Sequence, residues 1–503
     1  MRLVPVLVLL LVPGVLAGQS AAVRRAAATI TEADVKSRIF IIAHDSMGGR
    51  DTPSPGLEMT AAYIAAEFKR FGLQPGGDSG SFIQRYPIRR TQLDTAKSEV
   101  TVEGPDGGVR LRLTRDAALY QGPAKSGSWP VVLVGGPVDS LHPAVGELKG
   151  KAAIWYPDLR QGMAGIRMAG RHLSRGGAST VLISVPSDSL MDAQLSPQTR
   201  IRQSAGVVSG VPWLLARESA VLIQLPQAGE TIQGMRQATS FTALPVEGWT
   251  VTLSLEERVL QEQRPPNTVG ILEGSDPRLK HEYIVFSAHM DHVGARRSSD
   301  MPATADTIWN GADDDASGTV GVVELAEAFS RPGARPKRSL IFLTVSGEEK
   351  GLWGSDWFGA NPPVPIGQIV ANLNADMIGR NWKDTIVVIG REHSDLGQTL
   401  AAVNAKHPEL KMTAIDDLWP EQSFYTRSDH FNFAKRGVPV LFFFNGTHSD
   451  YHRPSDQPEK IDAEKEARIV QLIYWLAREI GNAPERPQWE RASYAKYVTD
   501  GKQ

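Results

Sequence analysis

Beyond residue 268, the chain alternates short, nearly continuous apolar runs with longer stretches that repeat apolar residues at helical spacing. Short apolar runs between turn residues are typical of buried strands, and apolar positions three to four residues apart predict helices. Strands buried on both faces need helices on both sides, so an α/β fold is predicted here. The predicted strands are Tyr283–Ala288, Leu340–Val345, Ile369–Leu373, Ile386–Ile389 and Val438–Phe444, and the predicted helices are Ser317–Phe329, Leu396–Lys406 and Ala463–Ile480.

The middle of the chain, from about Trp129 to Leu260, has a different texture. Short β-like runs alternate with turns there, around one candidate helix at Gly162–Gly177. Few side chains in this stretch are suited to metal binding, so we interpret it as an inserted β/α module without catalytic residues. Its predicted strands are Val131–Val134, Ala152–Trp155, Thr180–Ser184 and Val211–Leu215.

The N-terminus combines Arg2 with an apolar run from Leu3 to Leu16 and small residues around Ala17. A basic start, a short apolar core and small residues before a cleavage point are typical of a secretory signal peptide. The run is short for a membrane span of about 20 residues, so cleavage is favoured over an uncleaved anchor. We therefore expect an exported protein, periplasmic or secreted, without stable membrane insertion after cleavage.

Between the signal peptide and the module, Glu58–Phe71 repeats apolar residues at helical spacing, and Gly72 follows as a stop signal, so a helix is predicted. The preceding residues, His44 to Arg50, are predicted to form a loop between two helices. These patterns divide the chain into five parts. They are a signal peptide (1–22), an N-terminal helical part (23–125), the inserted module (126–260), the α/β domain (261–485) and a C-terminal tail (486–503).

Polar side chains directly follow four of the predicted α/β strands. The carboxyl ends of parallel strands meet at one edge of an open sheet, and binding sites form in the crevice there. We therefore expect these side chains, which are far apart in the sequence, to converge on one site. They are His289 and Asp291 after the first strand, Glu348 and Glu349 after the second, Asp376 after the third, and His448, Asp450 and His452 after the last.

The composition narrows the chemistry of that site. The 503 residues include no cysteine, which excludes disulfides, thiolate ligands and cysteine nucleophiles. A metal ion would therefore be held by His, Asp and Glu, a ligand set that suits zinc or a neighbouring divalent ion. The formal net charge of -2 argues against nucleic acid as a partner.

Carboxylates from several loops can hold two metal ions if one carboxylate bridges them. Such ion pairs lie about 3.5–4 Å apart and activate a shared water for attack on a carbonyl or phosphoryl centre. The Glu348-Glu349 doublet fits this arrangement, because one carboxylate can bind metal while its neighbour acts as a general base. Three consecutive carboxylates, Asp313 to Asp315, precede an apolar helix and add further candidate ligands.

Five short motifs carry most of these residues. They are His289-Met-Asp291, Asp313-Asp-Asp-Ala-Ser-Gly318, Ser346-Gly-Glu-Glu-Lys-Gly-Leu-Trp-Gly-Ser355, Asn374-Ala-Asp-Met-Ile-Gly379 and Asp450-Tyr-His-Arg-Pro-Ser-Asp456. In order and approximate spacing they resemble the M28 family of co-catalytic di-zinc peptidases, over about Thr268 to Asn482. The resemblance implies a mixed sheet sandwiched by helices, the zinc exopeptidase fold, with two zinc ions per chain. The inserted module resembles the small β/α protease-associated domain of some members.

By this resemblance, the metal ligands form two sets that share one bridging carboxylate. A shift of the bridge to Asp313 or Asp315 remains the alternative. His292, His430 and His448 are predicted to be structural or supporting rather than ligands. The implied ligands are His289 and Asp376 for the first zinc, Glu349 and His452 for the second, and Asp314 for the bridge.

The same resemblance implies roles beside the metals. Asp291 would stand behind His289 and fix its ring. Glu348 would take the proton from the bridging water and pass it to the leaving amine, and Tyr451 would donate to the developing oxyanion. Arg427 matches a substrate-contacting arginine of the aminopeptidases, and Tyr451 would also contact the substrate.

These features favour an exported zinc-dependent exopeptidase that acts on peptides, with an aminopeptidase as the leading hypothesis. The charges of Glu348 and Asp376 favour a free α-ammonium group near them. Two alternatives remain: a glutaminyl-cyclase-like acyltransferase with a similar fold and ligands, and a receptor-like binding protein that has lost catalysis. The complete ligand set favours hydrolysis over both. Side-chain preference and oligomeric state are left open by the sequence.

Overall fold

The computed structural model describes residues 21–499 with several short gaps. The predicted signal peptide therefore lies outside the described residues, apart from its last two positions, which begin a helical stretch over 21–27. Within the described ranges, every helix is too short or too polar to span a bilayer. The gaps are residues 106, 139–145, 158–161, 187–190, 193–194, 196–198, 204–209, 223–227, 298–301 and 303.

All the strands predicted from the sequence are present. The five predicted beyond residue 268 match to within two residues at either end, because a continuous apolar run bounded by turns identifies a buried strand well. In chain order the strands are β1 (Gln74–Pro75), β2 (Ile83–Arg85), β3 (Ile88–Leu93), β4 (Glu99–Gly104), β5 (Gly107–Leu111), β6 (Ala117–Gln121), β7 (Gly127–Gly135), β8 (Ala152–Trp155), β9 (Thr180–Val185), β10 (Thr199–Gln203), β11 (Trp213–Arg217), β12 (Thr242–Ser254), β13 (Glu257–Gln263), β14 (Pro266–Leu272), β15 (Tyr283–His289), β16 (Ser339–Val345), β17 (Ile369–Ala375), β18 (Thr385–Ile389), β19 (Thr413–Ile415) and β20 (Val440–Phe443).

The predicted helices are present as well. Their starts follow from capping chemistry: Ser54, just before Pro55, accepts the amide of Leu57, and Asp462 accepts the amide of Lys465. In chain order the helices are α1 (Glu32–Ile42), α2 (Pro55–Arg70), α3 (Gly162–Arg175), α4 (Glu218–Leu222), α5 (Ala228–Gln237), α6 (Gly318–Ser330), α7 (Trp353–Ala360), α8 (Leu396–Lys406), α9 (His430–Ala434), α10 (Ala463–Asn482) and α11 (Arg491–Tyr497).

The chain forms two compact units, a larger one of residues 1–86 and 264–503 and an inserted one of residues 87–263. The larger unit contains a nine-stranded mixed sheet in the order β1-β14-β16-β15-β17-β20-β18-β19, with β2 also paired to β14. The four central strands, β16, β15, β17 and β20, are parallel. Their carboxyl ends therefore share one edge, as the sequence predicts.

Alternate side chains of the central strands enter two separate apolar cores. Ile284 and Phe286 of β15 pack with helices α1, α2, α6, α8 and α10 on one face. Val285 packs on the other face, with α7 and α9. The sheet is therefore sandwiched by helices, which confirms the predicted fold class.

The chain leaves the larger unit after β2 and returns just before β14, and these two strands are antiparallel neighbours. Arg85 pairs with Pro266, and the amide of Tyr86 donates to the carbonyl of Pro265 at 3.3 Å. The insertion therefore starts and ends at adjacent points of one sheet.

The inserted unit has an eight-stranded sheet in the order β5-β4-β12-β7-β8-β9-β11-β6 and a three-stranded sheet, β10-β3-β13. Strands β7, β8, β9 and β11 are parallel, and apolar cores cover both faces of their sheet. This mixture of strands and helices agrees with the predicted β/α module. Its resemblance to a protease-associated domain stays a prediction.

Two predicted boundaries differ from those of the structure. The sequence places residues 87–125 in an N-terminal helical part, whereas they belong to the inserted unit and contain β3 to β6. These strands mix polar and apolar residues, as in Glu99–Gly104, and so lack the continuous apolar runs that mark the others. Residues 486–499 are not a separate tail, because Trp489 donates to the carbonyl of Gly437 at 2.9 Å and α11 follows.

Candidate metal centre and active site

The carboxyl edge of the parallel strands brings the five predicted metal ligands together. β15 ends at His289, β16 leads into Glu349 and β17 leads into Asp376, while Asp314 lies ahead of α6 and His452 in the loop after β20. They form two groups, and within each group the candidate ligand atoms all lie within 4.8 Å of one another. The predicted convergence at one crevice is therefore present.

The first group consists of His289, Asp314 and Asp376, all of which are buried. Nε2 of His289 lies 3.3 Å from Oδ1 of Asp314 and 3.6 Å from Oδ1 of Asp376. Two ligand atoms that are each about 2.0–2.1 Å from one tetrahedral zinc ion are themselves roughly 3.3 Å apart. The first group therefore has the spacing of a zinc site.

The second group contains His452, Asp314 and Glu349, together with His292. Nε2 of His452 is 3.1 Å from Oδ2 of Asp314 and 3.1 Å from Oε2 of Glu349. Nδ1 of His292 is 2.8 Å from Oε1 of Glu349. Asp314 thus directs one oxygen to each group, which supports the predicted bridge between two metals.

Unpartnered buried atoms test whether these residues fit metal ions. Among the described residues, Oδ2 of Asp314 and Oε1 of Glu349 have no hydrogen-bond partner and almost no contact with solvent. Burying such atoms is costly unless a proton donor or a cation satisfies them. Burial opposes charge on Asp314, but His292, His289 and His452 hold its pKa well below the usual value. An anionic bridge with imidazole neighbours fits two zinc ions.

The three consecutive aspartates have different partners. Asp313 accepts the amide of Gly379 at 2.7 Å and lies 3.1 Å from Nε2 of His448. Asp315 accepts the amides of His289 and Gly318 at 3.0 and 2.9 Å. Both outer carboxylates are therefore occupied with holding the loops, which leaves the middle one directed at the metal positions. This arrangement supports Asp314 over its neighbours.

The carboxylate of Asp291 does not fix the ring of His289 by a hydrogen bond, which differs from the expectation from the sequence. Its carboxylate accepts the hydroxyl of Thr52 and the amide of Gly347, each at 2.8 Å, and lies 3.7 Å from Nδ1 of His289. The nearer partner of Nδ1 is the backbone carbonyl of Asp291, at 3.1 Å. The carbonyl therefore orients the imidazole, and the carboxylate ties the β15 loop to the loop that carries Glu348.

Glu348 and Tyr451 lie beside the two groups and line the same cleft. Burial raises the pKa of Glu348 well above its usual value, and the carboxylates of Asp429 and Asp376 add to the rise against the opposing effect of His289. Burial and nearby carboxylates also raise the pKa of Tyr451, so the phenol keeps its proton. One group is thus placed to exchange a proton and the other to donate a hydrogen bond.

Arg50 is a structural support near the site that the sequence pattern did not identify, since its segment is predicted to be a loop. Its side chain is fully buried and donates to four backbone carbonyls. Its Nε donates to Met290 at 2.8 Å, and its terminal nitrogens donate to Ile42, Asn310 and Gly311 at 3.0, 2.6 and 2.9 Å. Arg50 therefore joins the loop after β15 to the turn that carries Asp314.

Asp376 is held from behind by a chain of buried polar side chains. Ser428 donates to Oδ2 of Asp376 at 2.9 Å, and Asn374 donates to Ser428 at 3.2 Å. Ser287 in turn donates to Asn374 at 2.6 Å. These bonds leave Oδ1 of Asp376 facing His289. No sequence signal points to Ser428, because serine is common in loops.

The cleft beside the metal positions has a volume of about 380 Å³, which includes the space at its opening to solvent. Met377, Phe424, Phe442 and Phe444 supply apolar walls. The guanidinium of Arg427, which is exposed, lies 4.5 Å above the Phe424 ring. A larger hollow of about 920 Å³ elsewhere on the larger unit contains none of the ligand residues, so we assign the chemistry to the smaller cleft.

Comparisons with known proteins show what the chain is similar to. A probable leucine aminopeptidase of Trichophyton verrucosum is 26% identical over 236 residues, covering 45% of this chain and 61% of the relative. A probable zinc metalloprotease of Leptosphaeria maculans is 24% identical over 264 residues, covering 45% and 59%. The chain thus spans about three fifths of these relatives.

A solved aminopeptidase from Aneurinibacillus sp. strain AM-1 superposes with a TM-score of 0.51 at 18% identity, over 92% of this chain and 96% of that one, which shows a shared fold. Residues 267–477 match the model of peptidase family M28, and this segment contains all five predicted metal ligands. Residues 267–477 of the chain are therefore similar to peptidase family M28 in sequence.

Proposed function

We propose that this protein is an exported di-zinc aminopeptidase that removes the N-terminal residue from peptides. One observation carries the proposal: two groups of candidate ligand atoms share Asp314 and lie at a cleft that Glu348 and Tyr451 also line. The names of the relatives, a leucine aminopeptidase and a zinc metalloprotease, agree with it.

The five predicted ligands have binding roles in this proposal. His289 and Asp376 would hold the first zinc ion, Glu349 and His452 would hold the second, and Asp314 would contribute to both sites. Zinc ions held there would polarise the scissile carbonyl and acidify a shared water. Ser428 and Asp315 keep the ligand loops in place through their hydrogen bonds.

Glu348 performs the proton transfers in this proposal. It takes a proton from the water as the water oxygen bonds to the carbonyl carbon, and it delivers that proton to the amine nitrogen as the C–N bond breaks. Tyr451 donates a hydrogen bond to the carbonyl oxygen while negative charge develops there. The products are a free amino acid and a peptide shortened by one residue.

The charges around the cleft favour a free N-terminus. Glu348 and Asp376 present carboxylates beside the apolar walls, and a carboxylate at short range stabilises an ammonium group. Arg427, at the exposed side of the cleft, is placed to contact the peptide further along its chain. A substrate with a blocked amine loses the first of these contacts.

A substrate pair tests the proposal. Purified protein is depleted of metal with a chelator, reloaded with Zn²⁺, and given leucine anilide or N-acetyl-leucine anilide. We expect release of aniline from the free amine only, loss of activity after depletion and recovery after reloading. Cleavage of N-blocked peptides would point to another exopeptidase mode. Pyroglutamyl products from glutaminyl peptides would favour the cyclase alternative, and bound zinc without any turnover would favour a binding protein.

The proposal also includes export by a signal peptide and an inserted unit of the protease-associated type. The basic and apolar pattern of residues 1–17 supports a signal peptide, which N-terminal sequencing of the mature protein would test. The proposed assignment of the inserted unit, residues 87–263, to the protease-associated type rests on its β/α content, since the family match begins at residue 267.

A further inference from the structure

His292 lies in the second ligand group, where its ring meets the His452 ring edge to face at a centroid distance of 5.6 Å. Its side chain is fully buried in the loop after β15, and its amide donates to the carbonyl of Arg50 at 3.3 Å. Gly311 has a φ of +54°, and a Cβ there would lie 2.2 Å from the carbonyl oxygen of Asp314 and 2.5 Å from Cγ of the His292 ring. The turn that carries Asp314 therefore packs closely against this imidazole.

Nδ1 of His292 lies near two carboxylates, yet it makes no hydrogen bond of acceptable geometry with a described residue. Among the described residues, neither nitrogen has a hydrogen-bond partner of acceptable geometry, although Nδ1 lies 2.8 Å from Oε1 of Glu349 and 3.7 Å from Oδ2 of Asp314. Close approach without hydrogen-bond direction is expected when both atoms point at a third centre rather than at each other. A fully buried imidazole without a partner is otherwise costly.

We propose that His292 is a fourth protein ligand of the second metal position, through Nδ1, beside Asp314, Glu349 and His452. This inference rests on the metal centre of the proposed function and gives His292 a role that the sequence pattern did not favour. The two positions then differ, because the first has only three protein ligands, His289, Asp314 and Asp376.

The difference in ligand number has a chemical consequence. Zinc sites closed by four protein ligands hold their ion firmly, whereas sites with three keep a position open for water or substrate. The position with His292 would therefore hold its ion more tightly, and the position with His289 and Asp376 would exchange its ion more readily. When metal is removed stepwise, the ion at the position with His289 and Asp376 should leave before the ion at the position with His292.

Metal binding without any assay of turnover tests this proposal. Metal-free wild type and His292→Phe are titrated with Co²⁺ by visible absorption and with Zn²⁺ by equilibrium dialysis. Phenylalanine keeps the ring and its packing but removes both nitrogens. We expect the tighter of two binding steps to weaken at least about tenfold in the variant, with a changed cobalt spectrum for that step. His430→Phe, which removes a buried imidazole outside both groups, should bind both ions as wild type does.

X-ray absorption at the zinc edge gives a second measurement that needs no variant. With His292 bound, the wild-type protein loaded with two zinc ions has three imidazole ligands for the pair, from His289, His292 and His452. Two imidazoles for the pair, or unchanged affinities and spectra in His292→Phe, would overturn the inference while leaving the aminopeptidase proposal intact. If the wild type binds no zinc, both the His292 inference and the aminopeptidase proposal are wrong.

Discussion

Both units of the chain contain a run of parallel, buried strands, and among the described residues the groups of possible metal ligands gather at the strand ends of the larger unit. In the larger unit, β15, β16 and β17 lead into His289, Glu349 and Asp376. In the inserted unit, β8 leads into Tyr156 and β11 into Arg217 and Glu218. Both groups of possible metal ligands found among the described residues lie in the larger unit. Apolar runs therefore specify the sheets, and the few residues that follow each strand determine whether a metal site can form at the sheet edge.

The test with the largest expected effect replaces one carboxylate that follows a strand in each unit by alanine. Glu348→Ala should lower kcat by roughly 10²–10⁴-fold, because the proton transfers lose their carrier. Zinc content, measured by mass spectrometry, should stay at the wild-type value, since Glu348 is outside both ligand groups. Glu218→Ala, after β11, is the matched control and should leave kcat unchanged. Activity within tenfold of wild type in the first variant would refute the role of Glu348.

A second test compares a buried arginine with an exposed one. Arg50→Leu leaves four carbonyls without their donor and should lower the free energy of unfolding by about 3–5 kcal/mol. Arg89→Leu removes an exposed pair with Glu262 in the inserted unit and should cost less than about 1 kcal/mol. Urea unfolding of metal-free protein measures both. Equal effects would show that Arg50 is not a special support of the ligand loops.

A third test concerns the contact between Thr52 and Asp291. Thr52→Val removes the hydroxyl that donates to the Asp291 carboxylate, and zinc affinity should fall roughly tenfold, because a group that holds a ligand loop has lost its partner. Thr52→Ser keeps the hydroxyl and should restore the affinity. Competition with a zinc chelator measures both variants. A valine variant with wild-type affinity would place the support of this loop elsewhere.

The test with the smallest expected effect concerns a buried imidazole that packs in the core, in contrast to those proposed to bind metal. His430 stacks on Phe442 with a centroid distance of 4.4 Å, and burial lowers its pKa to about 3. The native state keeps it neutral, while the unfolded state takes up a proton below a pH of about 6.5. Stability from this group is thus present above that pH and is lost as the pH falls toward 3.

His430→Phe should remove that dependence. Between pH 7.5 and 5.5, metal-free wild type should lose about 1 kcal/mol more stability than the variant. Urea unfolding at the two pH values measures the difference. A parallel loss in both proteins would mean that His430 is solvated or charged in the native state.

The sequence predicts features that are local and misses those that join distant segments. Continuous apolar runs identify β15 to β18 and β20, and motifs that follow them predict His289, Glu349 and Asp376 as ligands. Arg50 gives no such signal, because its partner Met290 lies 240 residues away and the contact needs no periodic pattern. His292 is visible in its motif, but only the fold shows that its imidazole faces Glu349. The boundary at residue 87 is missed because polar residues interrupt β3 to β6.

The pairing of β2 with β14 has a consequence for how such a chain can change over time. A tight turn between Arg85 and Pro266 would be enough to complete that hairpin, since the two residues already face each other. Changes in the length of the inserted unit, residues 87–263, would therefore leave the register of the strands that carry the ligands in place. Tyr86 lies just before that unit and must be kept, because its hydroxyl donates to the carbonyl of Ser346 at 2.9 Å, next to the loop that carries Glu348.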